Sequence, residues 1–514
     1  MSISGKKEQG VGAPIVLSLQ GITKRFGPVV ANEDVSIELA RGEVLALLGE
    51  NGAGKTTLMN ILFGHYTPDA GLVTVNGRAL TLGRPRDAIA AGVGMVHQHF
   101  TLAPNLTVLE NVMTGTEPLW AWRARTGSAR AKLAALSQRF GLAADPDARV
   151  SDLSVGQQQR VEILKALYND AEILILDEPT AVLTRPEAAT LFGVLRGMAA
   201  EGLSIIFISH KLKEVIEGAD RVVVLRAGRV TAERATNATD KDELAALMVG
   251  RRVERPCRVR SARGPVAIEA RGVDVVRGGV AVLDSVDFTL HAGEVLGLIG
   301  VSGNGQTMLA HLLSGLAKPA AGTLTLFGAP MGGLAPGALI ARGVARIPED
   351  RNTEGAVGDF ALWQNAVLER LGDARFARRG MVRAGECRAF CEAIIARFDV
   401  RGGTPETATR NLSGGNMQKL IFGRNLLDGP KVLIAAQPTR GLDEGAIAAV
   451  HGEILAARAK GCAVLLISED LDETLALSDR VQAIVKGRLS PAVDSDGLDA
   501  RRLGLMMAGE WDAV

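Results

Sequence analysis

Aromatic rings are scarce in this chain: two tyrosines, four tryptophans and thirteen phenylalanines make up 4% of its 514 residues, while apolar residues as a whole reach 47%. That balance excludes a disordered chain and fits a Leu/Val/Ala-rich α/β protein. An excess of either charge is also missing. Fifty-eight Lys and Arg nearly cancel fifty-seven Asp and Glu, and a net charge of +1 leaves no electrostatic footprint for a nucleic-acid partner. The four cysteines, Cys257, Cys387, Cys391 and Cys462, lie scattered. Cys387 and Cys391 would share a helix face, but no second Cys/His pair stands at metal spacing, so reduced buried or surface thiols are expected. Long apolar runs are absent too: "EVLALLG" and "LSIIFIS" are strand-sized, far short of the ~18 residues a membrane helix needs. The first fourteen residues, "MSISGKKEQGVGAP", hold no apolar core and are expected to form a flexible N-terminus rather than a secretory signal. The chain is expected to be soluble by itself, with any membrane role arising through a partner.

The length exceeds one ordinary core, so two large domains are the expectation. An internal repeat locates them. "RGEVLALLGENGAGKTTL" (41–58) matches "AGEVLGLIGVSGNGQTML" (292–309) at an offset of 251, Gly300 against Gly49. "AAGVGMVHQ" and "ARGVARIPE" keep that offset. "DLSVGQQQR" against "NLSGGNMQK", and "FISH" against "LISE", stand 259 apart, so the second copy carries about eight extra residues, expected in one place between the Gln98-type loop and the "LSVGQ"-type motif. The basic, Pro-containing stretch from Arg251 to Gly264 reads as a short linker. Domains are therefore expected over 15–250 and 265–514. In each, apolar runs alternate with helical patterns, the mark of a mostly parallel sheet with flanking helices. Val44–Leu48, Ile173–Leu176 and Ile205–Ile208 read as buried strands, and Val161, Leu164 and Tyr168 fall on one face of a helix.

"GENGAGKT", Gly49 to Thr56, fits G-x-x-x-x-G-K-[ST] between a strand and a helical pattern. Its glycines let successive N–H groups turn toward phosphate oxygens, with the positive end of the following helix behind them. Lys55 is expected to reach the β- and γ-phosphates, and Thr56 to bind Mg²⁺ through its hydroxyl. "ILILDEPT" ends an apolar run on Asp177, placed to meet Mg²⁺ directly or through water. Glu178 follows, placed to orient and polarise the attacking water.

"GENGAGKTT", "LSVGQQQR", "ILILDEPT" and "FISH", in that order and spacing, resemble the nucleotide-binding domain of ABC transporters, and the resemblance covers nearly the whole chain twice. It implies two tandem P-loop NTPase domains, each with a small antiparallel β part and a helical insert. ATP would be held by Gly49, Glu50, Asn51, Gly52, Ala53, Gly54, Lys55, Thr56 and Thr57. The resemblance further implies Gln98 as a contact to Mg²⁺ and the membrane partner, His210 as the residue at the γ-phosphate, and Phe26 of "KRFG" as the ring stacked on adenine. A core phenylalanine would look the same at position 26. His97 and His99 flank Gln98, and surface contact with a partner is expected of them rather than metal binding.

In this family two domains pair head to tail, one domain's phosphate loop facing the other's "LSGGQ"-type motif. Applied here, the first site would join the first domain's motifs to Ser413, Gly414 and Gly415 of "LSGGN", with Asp443 across the same joint. The second site is stripped: Gln306 replaces the lysine, Ala436 the metal-side aspartate, Gln437 the catalytic glutamate and Glu469 the histidine, while Val155 replaces a signature glycine. One hydrolytic site per chain is expected.

Two fused domains, a short linker, "LSGGNMQK" and "PTRGLD" resemble the ATP-binding subunit of bacterial simple-sugar and nucleoside importers. "VGMVHQHF", "QRVEILKALY", "SGNGQ" and above all "AAQPTRGLD" lean toward the nucleoside-type subgroup, with a ribose- or galactose-type importer as the alternative. The resemblance implies a pair of permease subunits, an extracytoplasmic solute-binding lipoprotein or protein reached through them, no nucleic-acid partner, and a place on the cytoplasmic face of the membrane. The permease would dock on the helical insert between Gln98 and Ser154 and on its counterpart in the second half. Trp120 and Trp122 of "PLWAWRAR" lie in the first insert, and whether they meet the permease or pack on their own helices stays open. A soluble tandem ABC ATPase of translation is the remote alternative; such factors carry a long charged linker and two intact sites, or a cysteine-rich region, and this chain has neither.

Overall fold

The computed structural model describes residues 13–98, 100–116, 126–180, 183, 185–252, 256–260 and 262–511. Contacts divide the chain into two units, Met1–Val253 and Glu254–Val514. Trp120, Trp122 and His99 lie outside the described residues.

In the first unit a six-stranded sheet runs in the order Arg229–Ala235, Arg221–Arg226, Val44–Leu48, Ser204–Ser209, Ile173–Asp177, Val93–Val96. All neighbours are parallel except the first pair. Val44–Leu48, Ile173–Asp177 and Ser204–Ser209 are buried along their whole length, which a strand covered on both faces requires. Alternate residues feed two cores. Val44, Ala46, Leu48, Leu174 and Leu176 pack with the helices of one face, while Leu45, Leu47, Ile173 and Ile175 join the phosphate-loop helix Lys55–Phe63 and the antiparallel sheet on the other. That second sheet has the order Val29–Ala40, Ile15–Phe26, Ala70–Val75, Arg78–Ala79. A helical arm, Val108–Met113 and Thr126–Phe140, packs on the signature helix Val155–Tyr168.

The second unit repeats this plan. Its main sheet runs Val344–Ile347, Val432–Ala436, Ala463–Ile467, Val295–Ile299, Arg480–Val485, Arg488–Leu489, and its antiparallel sheet Val280–His291, Val266–Arg277, Ala321–Leu326, Ala329–Pro330. The extra residues of this copy are not in one place. Helix Leu362–Val367 starts 254 positions after its counterpart at Val108, helix Ala384–Phe398 ends 258 after Phe140, and Ser413 stands 259 after Ser154. Three residues therefore enter at the helical turn Arg351–Gly355 and most of the rest at the hairpin formed by Ala377–Arg378 and Met381–Val382.

Part of the stretch read as a linker is tied to the second unit. Arg258 pairs with Asp479 at 3.2 Å and with Asp496, Arg458 donates to the carbonyl of Val259 at 2.7 Å, and Arg263 pairs with Asp494. None of the four cysteines forms a disulfide, and Cys387, Cys391 and Cys462 are buried. Burial pushes Cys391 and Cys462 up to about 12, so both stay protonated and inert.

Candidate functional site

The phosphate loop leaves strand Val44–Leu48 and enters helix Lys55–Phe63. A side chain at Gly49 would run into the carbonyl of Leu225. At Gly54, which caps the helix at φ +98°, it would run into the carbonyl of Ala31. Only glycine satisfies both the approach and the left-handed backbone. The carbonyl of Gly54 accepts from the fully buried Asn32 at 3.1 Å. Motif reading missed Asn32 because it sits 22 residues upstream on the antiparallel sheet.

Lys55 is buried at 6% exposure, and its Nζ donates to the carbonyls of Gly49 (2.7 Å) and Glu50 (2.9 Å). The ammonium is thus folded into the loop whose N–H groups it would help to charge. Asp177 is 5% exposed at the end of its strand, with the Thr56 hydroxyl close enough to lower its carboxyl. Burial, then the charge of Glu178, raise Asp177 from 3.8 to about 6 against the pull of Lys55 and Thr56. An acid held up in this way, beside a hydroxyl and an ammonium, suits a site completed by a further cation.

Glu178 turns the backbone into the left-handed region at φ +46° and anchors it through its N–H to the carbonyl of Ile208 (3.1 Å). That bend aims its carboxylate at two partners. Nδ1 of His210 lies 3.0 Å from one oxygen, and Nε2 of Gln98 donates to the other at 3.2 Å. Burial by itself would raise Glu178, but the bond and charge of His210, with Lys55 and Lys211, hold it below the ordinary glutamate range. It is therefore ionised at neutral pH and held at both oxygens. A scaffold that the motifs do not announce fixes this corner: Glu214 accepts from Thr180 (2.6 Å) and Ser209 (3.0 Å), tying the "DEPT" turn to the "FISH" strand.

Phe26 is 43% exposed and meets Tyr66 edge-on at 5.4 Å. It is not a core phenylalanine, and the ammonium of Lys24 lies 5.5 Å from its ring centre. His97 packs near His65 (5.6 Å) and Phe63 (6.1 Å), and burial, then His65, lowers it. Among the described residues no cluster of three or more metal-ligating side chains forms, and no helix is long and apolar enough to cross a membrane.

The second unit keeps the scaffold and loses the charges. Gln437 sits at φ +46°, like Glu178, with its N–H on the carbonyl of Ile467 at 2.8 Å. Glu473 accepts from Thr439 (2.8 Å) and Ser468 (2.5 Å), as Glu214 does in the first unit. Gln306 Nε2 donates to the carbonyl of Val301 (3.0 Å), the counterpart of Glu50, so a neutral amide fills the lysine's place. By the same offset Arg277 stands for Phe26 and Glu349 for Gln98. Each unit also presents a capped signature helix. Ser154 accepts from the N–H of Gln157 before Val155–Tyr168, and Ser413 from that of Asn416 before Gly414–Leu426. Asp443 caps helix Glu444–Ala459, its Oδ1 accepting from the N–H of Ala446 at 2.9 Å.

Comparison with known proteins agrees with this duplication. The family model described as "ABC transporter" matches residues 32–181 and again 283–440. The chain is 44% identical to a glucose import ATP-binding protein of Haloferax volcanii, over 97% of this chain and 96% of that one. It is 42% identical to a guanosine import ATP-binding protein of Bacillus subtilis (96% and 97%) and 42% identical to a ribose import ATP-binding protein of Burkholderia thailandensis (94% and 96%). A solved archaeal ribosome recycling factor, bound to a ribosomal stalk protein, shares the fold alone, at 19% identity and a TM-score of 0.62 over 95% of this chain and 92% of that one. Matched twice by one family model and end to end by its relatives, the chain belongs to the ABC transporter family as two fused ATP-binding cassettes.

Proposed function

We propose that this chain is the ATP-hydrolysing subunit of an importer, with one working catalytic site. The observation that carries the reading is the convergence on Glu178: an ionised carboxylate on a strained turn, gripped by His210 and Gln98 beside Asp177, Thr56 and Lys55. Thr56, Asp177 and Gln98 are the donors that would hold Mg²⁺, which when bound supplies charge to the phosphates. Lys55 exchanges its loop carbonyls for β- and γ-phosphate oxygens, and the N–H groups of Gly49 to Thr57 cradle them. Glu178 orients the attacking water and accepts its proton, His210 holds the carboxylate in place, and Phe26 stacks on adenine.

The signature at Ser413, Gly414 and Gly415 closes this site when the two cassettes pair head to tail. The second cassette has Gln306, Ala436 and Gln437 in place of the phosphate-loop lysine, the metal-side carboxylate and the catalytic glutamate, so it donates that motif and hydrolyses nothing itself. The partners are two permease subunits at the cytoplasmic face of the membrane and, through them, an extracytoplasmic solute-binding protein. Nucleosides are the proposed solute, on "AAQPTRGLD". Simple sugars are the second reading, because the glucose and ribose relatives are as similar to this chain as the guanosine one. Hydrolysis by purified Glu178→Gln tests the assignment: it should fall ~10²–10⁴-fold. Activity near the wild-type level would overturn it.

A further inference from the structure

In the second cassette Glu349, Arg440 and Arg351 lie between the remnant phosphate loop and the signature helix. Glu349, which holds the place of Gln98, lies 3.5 Å from the hydroxyl of Thr307 in the phosphate-loop helix, and its other oxygen pairs with Arg440 at 2.6 Å. The carbonyl of Arg440 accepts from Nη1 of Arg351 at 2.8 Å. The guanidinium of Arg351 lies flat against Gly414, where a Cβ would stand 2.8 Å from Nη2 and 3.2 Å from Cζ. The carboxylate of neighbouring Asp350 is taken by the N–H groups of Asn352 and Thr353.

We propose that the Glu349–Arg440 ion pair, with Arg351 bound to the backbone carbonyl of Arg440, forms a strut that positions the second cassette's signature helix without nucleotide, using the remnant phosphate loop as its footing. Three observations converge on this. A guanidinium at a helix N-terminus opposes the helix dipole, so its place against Gly414 is costly until an anion arrives, and the Arg440 carbonyl must hold it there. Gly414 is the signature position at which an added side chain would displace the Arg351 guanidinium. In the first cassette that position is Val155, 42% exposed, and a Cβ on the next residue, Gly156, would stand 3.1 Å from the carboxylate of Glu187. The signature assigned to the intact site is thus lined by a cation, and the one assigned to the stripped site by a carboxylate. In the first cassette the residue matching Arg440 is Ala181 and the one matching Glu349 is Gln98, so no equivalent ion pair exists there in sequence. The stripped cassette keeps its phosphate loop because the loop now carries a strut.

This rests on the reading that Ser413, Gly414 and Gly415 complete the first cassette's site, and the experiment separates the two. ATP hydrolysis by the full chain is measured for Glu349→Gln, Arg440→Gln, Arg351→Ala, the charge swap Glu349→Arg with Arg440→Glu, and Ser413→Arg. A fluorescent ATP analogue confirms that the first cassette folds and binds in each. The ion pair is partly exposed, so each of its single variants should lower kcat about three- to fivefold, and Arg351→Ala about tenfold, with KM for ATP within about twofold. The swap should return kcat to within about twofold of wild type, which loss of mere bulk would not do. Arg440→Lys keeps the charge and should retain most of the rate if Arg440→Gln fails to fold. Wild-type rates in the single variants, or a swap no better than the worse single variant, would overturn the strut while Ser413→Arg still abolishes hydrolysis. Full activity in Ser413→Arg would instead overturn the signature reading, and the strut with it.

Discussion

Replacing Asp177 with asparagine should stabilise the first cassette while abolishing its chemistry. Asp177 is buried at a strand end, and burial followed by the charge of Glu178 raises its carboxyl from 3.8 to about 6. The folded state therefore holds this proton more tightly than the unfolded chain does. Well below pH 3.8 both states keep the proton and the stabilisation is complete. As pH climbs from about 4 to about 6 the unfolded chain ionises first and stability falls, and above about 6 the loss is total. About two pK units at about 1.36 kcal/mol each give about 3 kcal/mol at pH 8, and about half of that at pH 5. Asparagine carries no charge and avoids the loss. For a cassette of this size about 3 kcal/mol corresponds to a Tm rise of about 6–12 °C. Thermal melts of the nucleotide-free chain in EDTA, wild type against Asp177→Asn, should show that rise at pH 8 and a clearly smaller one at pH 5. Equal melting temperatures at pH 8, or a gain that does not depend on pH, would refute the reasoning.

Gly54→Ala combines left-handed strain at φ +98° with a clash against the Ala31 carbonyl. It should destabilise the cassette by at least about 3 kcal/mol and remove nucleotide binding. Gly52→Ala, at φ +84° with open space around it, should cost only about 1 kcal/mol, and parallel denaturant titrations compare the two. Gln306→Lys restores the missing cation of the second phosphate loop but not Ala436 or Gln437. It should strengthen nucleotide binding there while adding no turnover, read by analogue binding together with phosphate release in a Glu178→Gln background.

The repeat was legible because motif spacing survives when chemistry does not, and the strands were legible because Val44–Leu48 and Ile173–Asp177 are covered on both faces and so are apolar throughout. Lys55, Asp177 and Glu178 could be named because each sits at a fixed step from a glycine or a strand end. Asn32, Glu214 and Arg351 could not. They reach Gly54, Thr180 and Gly414 across 22, 34 and 63 residues of chain, and nothing local distinguishes them from ordinary polar positions. The extra residues of the second copy looked like one insertion because offsets record only their sum between landmarks. The structure places most of them at the turn after Glu349 and the hairpin at Ala377–Val382. The stretch from Arg251 to Gly264 read as linker because it lacks apolar periodicity, but Arg258 and Arg263 within it pair with Asp479, Asp494 and Asp496 of the second unit.

The central claim is that all phosphate chemistry belongs to the first cassette. Trapping a photoreactive ATP analogue with vanadate during turnover, then cleaving the chain between the units and counting label on each half, tests it most directly. One trapped nucleotide per chain, carried by the half containing Lys55 and Glu178, is the predicted result. Equal label on both halves, or label on the half containing Gln306, would contradict it.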